Sequence, residues 1–334
     1  FRRVLFRSGK PVSYYNAIIN WVKQRYDLVV AKEMINFVPG IVPGIGMAMN
    51  CFTQKGDKVM IQPPVYHPFA WVTTRNERTL VTNPLKWENG MYRMDLDTFR
   101  EQIKGCKLFI LCNPHNPGGV VWTEAELRAI ADICYDEKVL VFSDEIHADL
   151  TLPPHTHRPF ATVSEKARMN SVTFMSPSKA FNMPGLSASH ALIFNEDLRK
   201  RFRIYMDAGE LDMGHVFAFL SVEAAYSHGT EWLDQCLAYI QGNIDFVDDF
   251  LKNHAPKIKA IRPEASYLVW LDCRELKLSQ KDLNEFFVDK AHLALNDGEM
   301  FGKEGIGFMR LNVASPRCII EKAMKQLADA YQLY

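Results

Sequence analysis

The sequence predicts an α/β fold, a mostly parallel doubly wound sheet with a smaller C-terminal α+β domain. Three observations predict it. Short apolar runs closed by Pro, Asn or Ser recur up to about residue 195, and helical stripes separate them. Runs such as Lys107 to Cys112 (KLFILC) are apolar without alternation, as expected of strands covered on both faces. Beyond residue 195 the pattern changes to long helices, followed by two late strands.

The elements follow in order. Tyr14, Ile18, Trp21 and Val22 form a stripe at i, i+4, i+7 and i+8, which predicts a helix. Met34 to Gln54 carries no charge, but Pro39, Gly40, Pro43, Gly44 and Gly46 interrupt it. It reads as strand, tight loop and buried helix, since a membrane span needs about 20 uninterrupted apolar residues. Val59-Met60-Ile61 is a strand stopped by Pro63-Pro64, and KLFILC is a strand stopped by Asn113-Pro114. Thr123-x-x-Glu126 is a capping box, and it opens a helix with the stripe Leu127, Ile130, Ala131 and Cys134. Val139 to Phe142, Ser171 to Met175 and Ala191 to Phe194 are further strands. Glu196 to Tyr205, Val216 to Tyr226 and Trp232 to Leu251 read as helices. Tyr267 to Leu271 (strand), Leu283 to Phe287 (helix), Met309 to Val313 (strand) and Ile320 to Tyr331 (helix) build the C-terminal unit. The domain boundary is expected near residue 245, giving domains 9–245 and 246–334, and no internal repeat is visible.

Phe1 to Ser8 (FRRVLFRS) fits neither a cap nor a period. It reads as a non-native tail, an adapter oligonucleotide translated in frame. The native chain is then expected to start near Gly9 and to lack a preceding segment.

Composition narrows the function. The chain has 334 residues, 48% of them hydrophobic and 23% charged, which is ordinary for a globular protein. Lys plus Arg and Asp plus Glu both number 39, so the net charge is zero. Nucleic-acid binders carry a basic excess. Nucleic acid and a membrane surface are therefore not expected partners. The seven cysteines are scattered, odd in number and without a C-x-x-C pair. They read as thiols in a reducing compartment, with no zinc site.

Ligands of open α/β sheets bind beyond the carboxyl ends of the strands. Lys179 stands there among small residues, as an exposed loop charge or as a desolvated amine able to form a Schiff base. Asp144 follows the Val139 to Phe142 strand, either as a cap or as the partner of a pyridinium proton. His147 could donate to a ring hydroxyl. With Asp149, His155 and His157 it could also suggest a metal, but Pro153-Pro154 breaks the spacing. Asn116 lies in a loop fixed by two prolines and two glycines. Gly40-Ile41-Val42 opens a helix, where backbone N–H groups bind phosphate. Tyr66 could stack on a ring or pack in the core. Ser176-x-x-Lys179 matches the S-x-x-K of acylating serine enzymes, yet S-D-N and K-T-G are both missing.

The strings NPHNPGG, SDEIHADL and SPSKAFNMPGL, in that order, resemble fold-type I pyridoxal 5'-phosphate (PLP) enzymes of the aspartate aminotransferase superfamily. IQPPVYHPF, CNPHNPGG, VFSDEIHADL, ALNDGEMFG and FMRLN are most similar to the cystathionine β-lyase and C–S lyase branch. His147 stands where many aminotransferases have tyrosine, and Ser187 where they often have arginine; both favour lyase. The resemblance implies that Lys179 forms the Schiff base with PLP and moves the substrate α-proton. Asp144 is implied to pair with the pyridine nitrogen, Asn116 and His147 to contact the 3-oxygen side, and Tyr66 to stack on the ring. Ser176, Gly40, Ile41 and Val42 are implied to hold the phosphate, and Arg310 the substrate carboxylate. The implied activity is loss of a thiol from a β-thio amino acid, giving pyruvate and ammonia, in a cytoplasmic homodimer. An aminotransferase and a cofactor-binding regulatory protein are the alternatives.

Overall fold

The computed structural model describes residues 10–333, so the tail expected at residues 1–8 lies outside it. Helix α1 (Val12–Tyr26) leads to β1 (Ile35–Val38) and α2 (Ile41–Phe52). Next come β2 (Lys58–Ile61), α3 (Pro68–Arg75), β3 (Thr79–Thr82), the hairpin β4 (Lys86–Glu88) and β5 (Met91–Arg93), and α4 (Leu96–Gln102). They are followed by β6 (Cys106–Cys112), α5 (Glu124–Asp136), β7 (Leu140–Asp144), α6 (Glu165–Met169), β8 (Ser171–Met175) and β9 (Ser189–Leu192). Three helices, α7 (Glu196–Ala208), α8 (Val216–His228) and α9 (Thr230–His254), lead to the last unit. It contains β10 (Lys259–Ile261), β11 (Leu268–Asp272), α10 (Gln280–Glu285), β12 (Asn296–Asp297), β13 (Phe308–Asn312) and α11 (Arg317–Gln332).

Seven strands form one sheet in the order β1-β9-β8-β7-β6-β2-β3. Every neighbouring pair is parallel except those made by β9, which runs antiparallel to both β1 and β8. Side chains alternate between the two faces. Leu108 and Ile110 of β6 join an apolar cluster with α2 and α7, whereas Phe109 and Leu111 join one with α4 and α5. Burying a side chain such as Phe109 fully contributes about 1.5–3 kcal/mol. The capping box of α5 forms as expected: Thr123 Oγ1 accepts the Glu126 N–H at 3.2 Å, and Glu126 Oε2 accepts the Thr123 N–H at 2.8 Å. The smaller sheet, β10-β11-β13-β12, is antiparallel throughout.

Some boundaries differ from the sequence reading. The strand expected at Ala191–Phe194 is Ser189–Leu192. Ile193 and Phe194 are buried beyond its end, so their apolar character reports burial and not the ladder. The helix expected at Leu283–Phe287 is an α-helix only to Glu285 and widens into a π turn over Phe286–Lys290. Strand β3 carries no apolar run because it is a half-exposed sheet edge. The β4–β5 hairpin, absent from the elements expected above, turns at Asn89-Gly90, both with positive φ, the residue pair that a tight two-residue hairpin turn favours.

Candidate active site

Parallel strands β6, β7 and β8 end side by side, and the loops after them close one end of a cavity of about 450 Å³. Gly40, Ile41, Val42, Tyr66, Asn116, Asp144, His147, Lys179 and Arg310 all line it. Of the expected site residues, only Ser176 does not. Its hydroxyl donates to the Ala188 carbonyl at 2.7 Å and accepts the Ser178 N–H at 3.1 Å. It thereby shapes the loop, while Ser178 itself faces the cavity.

Asp144 is the last residue of β7 and is the register partner of Cys112 on β6. Its Oδ1 accepts the Ile146 N–H at 3.1 Å. Burial raises its pKa to about 7; the Ile146 N–H opposes this, the Glu145 carboxylate adds to it, and Lys179 opposes it. A cationic ring nitrogen brought to Asp144 would restore an ordinary carboxylate. Lys179 is half-buried and makes no hydrogen bond or ion pair within the described residues. His147 is buried and held neutral: burial, then the charges of Lys179 and Arg310, lower its pKa to about 3. Its Nδ1 has no hydrogen-bond partner.

Asn116 is placed by its loop. His115 Nδ1 accepts the Gly118 N–H at 3.3 Å, so Nε2 carries the proton and donates to the Pro64 carbonyl at 2.8 Å. Burial keeps this ring neutral, with a pKa of about 4. The Asn116 N–H donates to Cys112 Sγ at 3.3 Å. Gly119 has φ +69°, and a Cβ there would lie 2.5 Å from Pro263 Cβ. Its carbonyl accepts the N–H groups of Glu264 and Ala265, which ties the loop to the chain just before β11.

Arg310 reaches the cavity from β13. Nη1 donates to Asn116 Oδ1 and Nη2 to Asn296 Oδ1, both at 2.8 Å. Burial lowers its pKa to about 10, which leaves it cationic at neutral pH. Tyr66 is half-buried, and its pKa is raised by burial first and by Asp144 second. Gly40 has φ +124° and precedes α2, whose N-terminus has no side-chain cap. A Cβ on Gly40 would lie 3.3 Å from Pro43 Cδ, so the backbone turn requires glycine.

These features fit PLP. A buried carboxylate suits a pyridinium, a free amine suits an aldehyde, and an uncapped helix N-terminus suits a phosphate. The unpartnered His147 Nδ1 is a polar atom waiting for a ligand. Sequence reasoning left Cys112, Ser178, Tyr267, Asn296 and Asn312 without roles, although all line the cavity. Asn296 stands in the recognised string ALNDGEMFG, and that context was the signal that could have found it.

Comparison with known proteins agrees with this geometry. The model of the family "Aminotransferase class I and II" matches residues 8–327. The chain belongs to that family. This family member is 38% identical over 317 residues to cystathionine beta-lyase PatB of Bacillus subtilis (strain 168), covering 94% of this chain and 82% of that protein. The PLP-containing structure of cystalysin from Treponema denticola superposes with a TM-score of 0.95 at 34% identity, covering 97% of this chain and 83% of that one. The PLP-bound C-S lyase from Staphylococcus hominis gives 0.89 at 33% identity, covering 97% and 85%. The fold is thus that of the fold-type I PLP enzymes.

Proposed function

We propose that this chain is a PLP-dependent carbon–sulfur β-lyase, which takes a β-thio L-amino acid such as L-cystathionine and yields a thiol, pyruvate and ammonia. The observation that carries the reading is one cavity in which Lys179, Asp144, Asn116 and Arg310 converge. The lyase names of the similar proteins support β-elimination over transamination, as do His147 and Ser187 at the two positions discussed above.

PLP, when bound, supplies an electron-poor ring that accepts the electron pair left by the substrate α-proton. Lys179 would hold it through Nζ, and Asp144 would keep its ring nitrogen protonated. Asn116 and His147 would face its 3-oxygen side, and Tyr66 its ring. The N–H groups after Gly40, with the loop shaped by Ser176, would take its phosphate. Arg310 binds the substrate α-carboxylate through its planar fork. Once the substrate amine has displaced it, Lys179 Nζ would be free to remove the α-proton. The electron pair left behind would form the Cα–Cβ double bond as the C–S bond breaks and the sulfur leaves as thiolate, which takes up a proton to give the thiol. Water completes the reaction by hydrolysing the released enamine to pyruvate and ammonia.

We also propose a domain division within α9 near residue 245, and a cytoplasmic homodimer. Among the described residues no helix is long and apolar enough to cross a membrane. Met213, Val216, Phe217 and Leu220 form an exposed apolar stripe at the start of α8, which suits a subunit contact.

Pyruvate release from L-cystathionine, with no keto acid added, tests the function. Sustained pyruvate matched by free thiol is expected. A single stoichiometric turnover that cycles only with a keto acid would make the protein an aminotransferase. Absence of a visible cofactor band, or of its loss in Lys179→Ala, would favour a regulatory protein.

A further inference from the structure

Asn296 and Arg310 are cross-strand partners of β12 and β13, so their side chains stand on one face of the small sheet. Asn296 Oδ1 accepts from Arg310 Nη2 at 2.8 Å, and Asn116 Oδ1 accepts from Nη1 at the same distance. The guanidinium carbon lies 4.6 Å from the centroid of the Phe301 ring. A planar fork held at both ends and stacked on one face cannot turn. The third nitrogen, Nε, is buried without a partner. Such a donor costs about 1–3 kcal/mol until an acceptor reaches it.

The asparagine is also fixed. A guanidinium offers no acceptor, so Asn296 must present its carbonyl to Arg310 and its NH2 group elsewhere. The neighbouring Asp297 carboxylate accepts from Gln280 Nε2 at 2.5 Å, from Asn284 Nδ2 at 2.6 Å and from the Glu299 N–H at 2.8 Å. The backbone that carries Asn296 is therefore anchored. Asn296 itself is exposed and lines the cavity.

We infer that Asn296 is a specificity-determining positioning residue: it sets the plane of Arg310 and offers its amide N–H to the same substrate α-carboxylate. The inference rests on the reading of Arg310 as the carboxylate grip. It makes the neutrality of residue 296 essential. A carboxylate at this position would lie against Nη2 and occupy the cation that the substrate needs.

Calorimetric titration of the PLP-loaded protein with 3-(methylthio)propionate, and with its uncharged amide 3-(methylthio)propanamide, tests this. The native protein should bind the acid more tightly than the amide by about tenfold or more. Asn296→Asp should weaken the acid about tenfold or more and leave the amide within about twofold, because only the acid competes for the charge. Asn296→Ala should weaken the acid by about threefold, since it loses a bond without adding an anion. Equal binding of acid and amide by the native protein would overturn the inference. So would an Asn296→Asp protein that keeps its affinity for the acid, or one that loses both ligands equally. Acid selectivity lost in Asn296→Asp, in a protein that makes no pyruvate, would support the inference and overturn the lyase reading.

Discussion

Asn116 and Arg310 are 194 positions apart in sequence, yet Arg310 Nη1 donates to Asn116 Oδ1 at 2.8 Å. One residue belongs to a loop at the end of the large sheet and the other to the small sheet. The contact turns the Asn116 carbonyl towards Arg310 and frees its NH2 group for a ligand acceptor. One hydrogen bond thus ties the residue proposed for the cofactor to the residue proposed for the substrate carboxylate.

Arg310→Lys should therefore damage more than charge. A lysine keeps the cation but cannot hold both asparagines and a carboxylate in one plane. We expect KM for L-cystathionine to rise by about 30-fold or more, corresponding to the 2–5 kcal/mol of a buried charge-assisted contact. Steady-state kinetics measures it, and an unchanged KM would refute the carboxylate grip.

Asp144 should destabilise the cofactor-free protein. Its pKa is raised in the fold from 3.8 to about 7. A raised carboxyl contributes stability that is fully present below pH 3.8 and is lost as pH climbs through about 7. The loss at pH 8 amounts to roughly 4 kcal/mol at most. Asp144→Asn should consequently melt higher than the native chain at pH 8 without PLP, with little difference at pH 3.5. With PLP present the order should reverse, because the variant loses its ring partner. Melting curves at the two pH values, with and without PLP, decide it.

His190 should set part of the acid limit. It lies on β9, fully buried, and neither ring nitrogen has a partner. Burial lowers its pKa from 6.5 to about 3. A depressed histidine contributes stability that is complete above pH 6.5 and is lost as pH falls towards 3. By pH 5 the loss is about 2 kcal/mol. His190→Phe should remove that slope, so the variant gains on the native protein between pH 7 and pH 5. A parallel decline of both proteins would disprove it.

Glu145 and His157 form a pair beneath the site at 2.8 Å, with almost no exposure of either side chain. Glu145 Oε1 also accepts from Ser143 Oγ and the Phe160 N–H, both at 2.8 Å. Glu145→Ala leaves three donors without an acceptor and should cost about 3–5 kcal/mol. The double variant Glu145→Ala/His157→Phe should recover part of that loss. Urea unfolding of the single and double variants measures the coupling, and additive effects would contradict it.

Much of the fold was legible along the chain. Strands such as KLFILC declare themselves because a strand covered on both faces has no polar side to interrupt it. The capping box of α5 and the stripe of α1 are local features, read within one or two turns. The edge strand β3 and the reversed strand β9 were less legible. Their limits follow from neighbours far away in sequence, not from their own apolar pattern.

The sequence by itself determined most of the elements, the α/β class and the residue types of the site. Lys179 and Asn116 follow a strand and Asp144 ends one, each within a recognisable string, because parallel strands deliver their carboxyl ends to one side. Tertiary structure alone decided what those residues touch. It committed the Ser176 hydroxyl to the Ala188 carbonyl and gave Arg310 two asparagine partners, Asn116 from the loop after β6 and Asn296 from β12. It also buried Asp144 and His147 deeply enough to raise one pKa and lower the other. The physical reason is that periodicity and caps are local, whereas desolvation and hydrogen-bond partnership depend on segments brought together from across the chain.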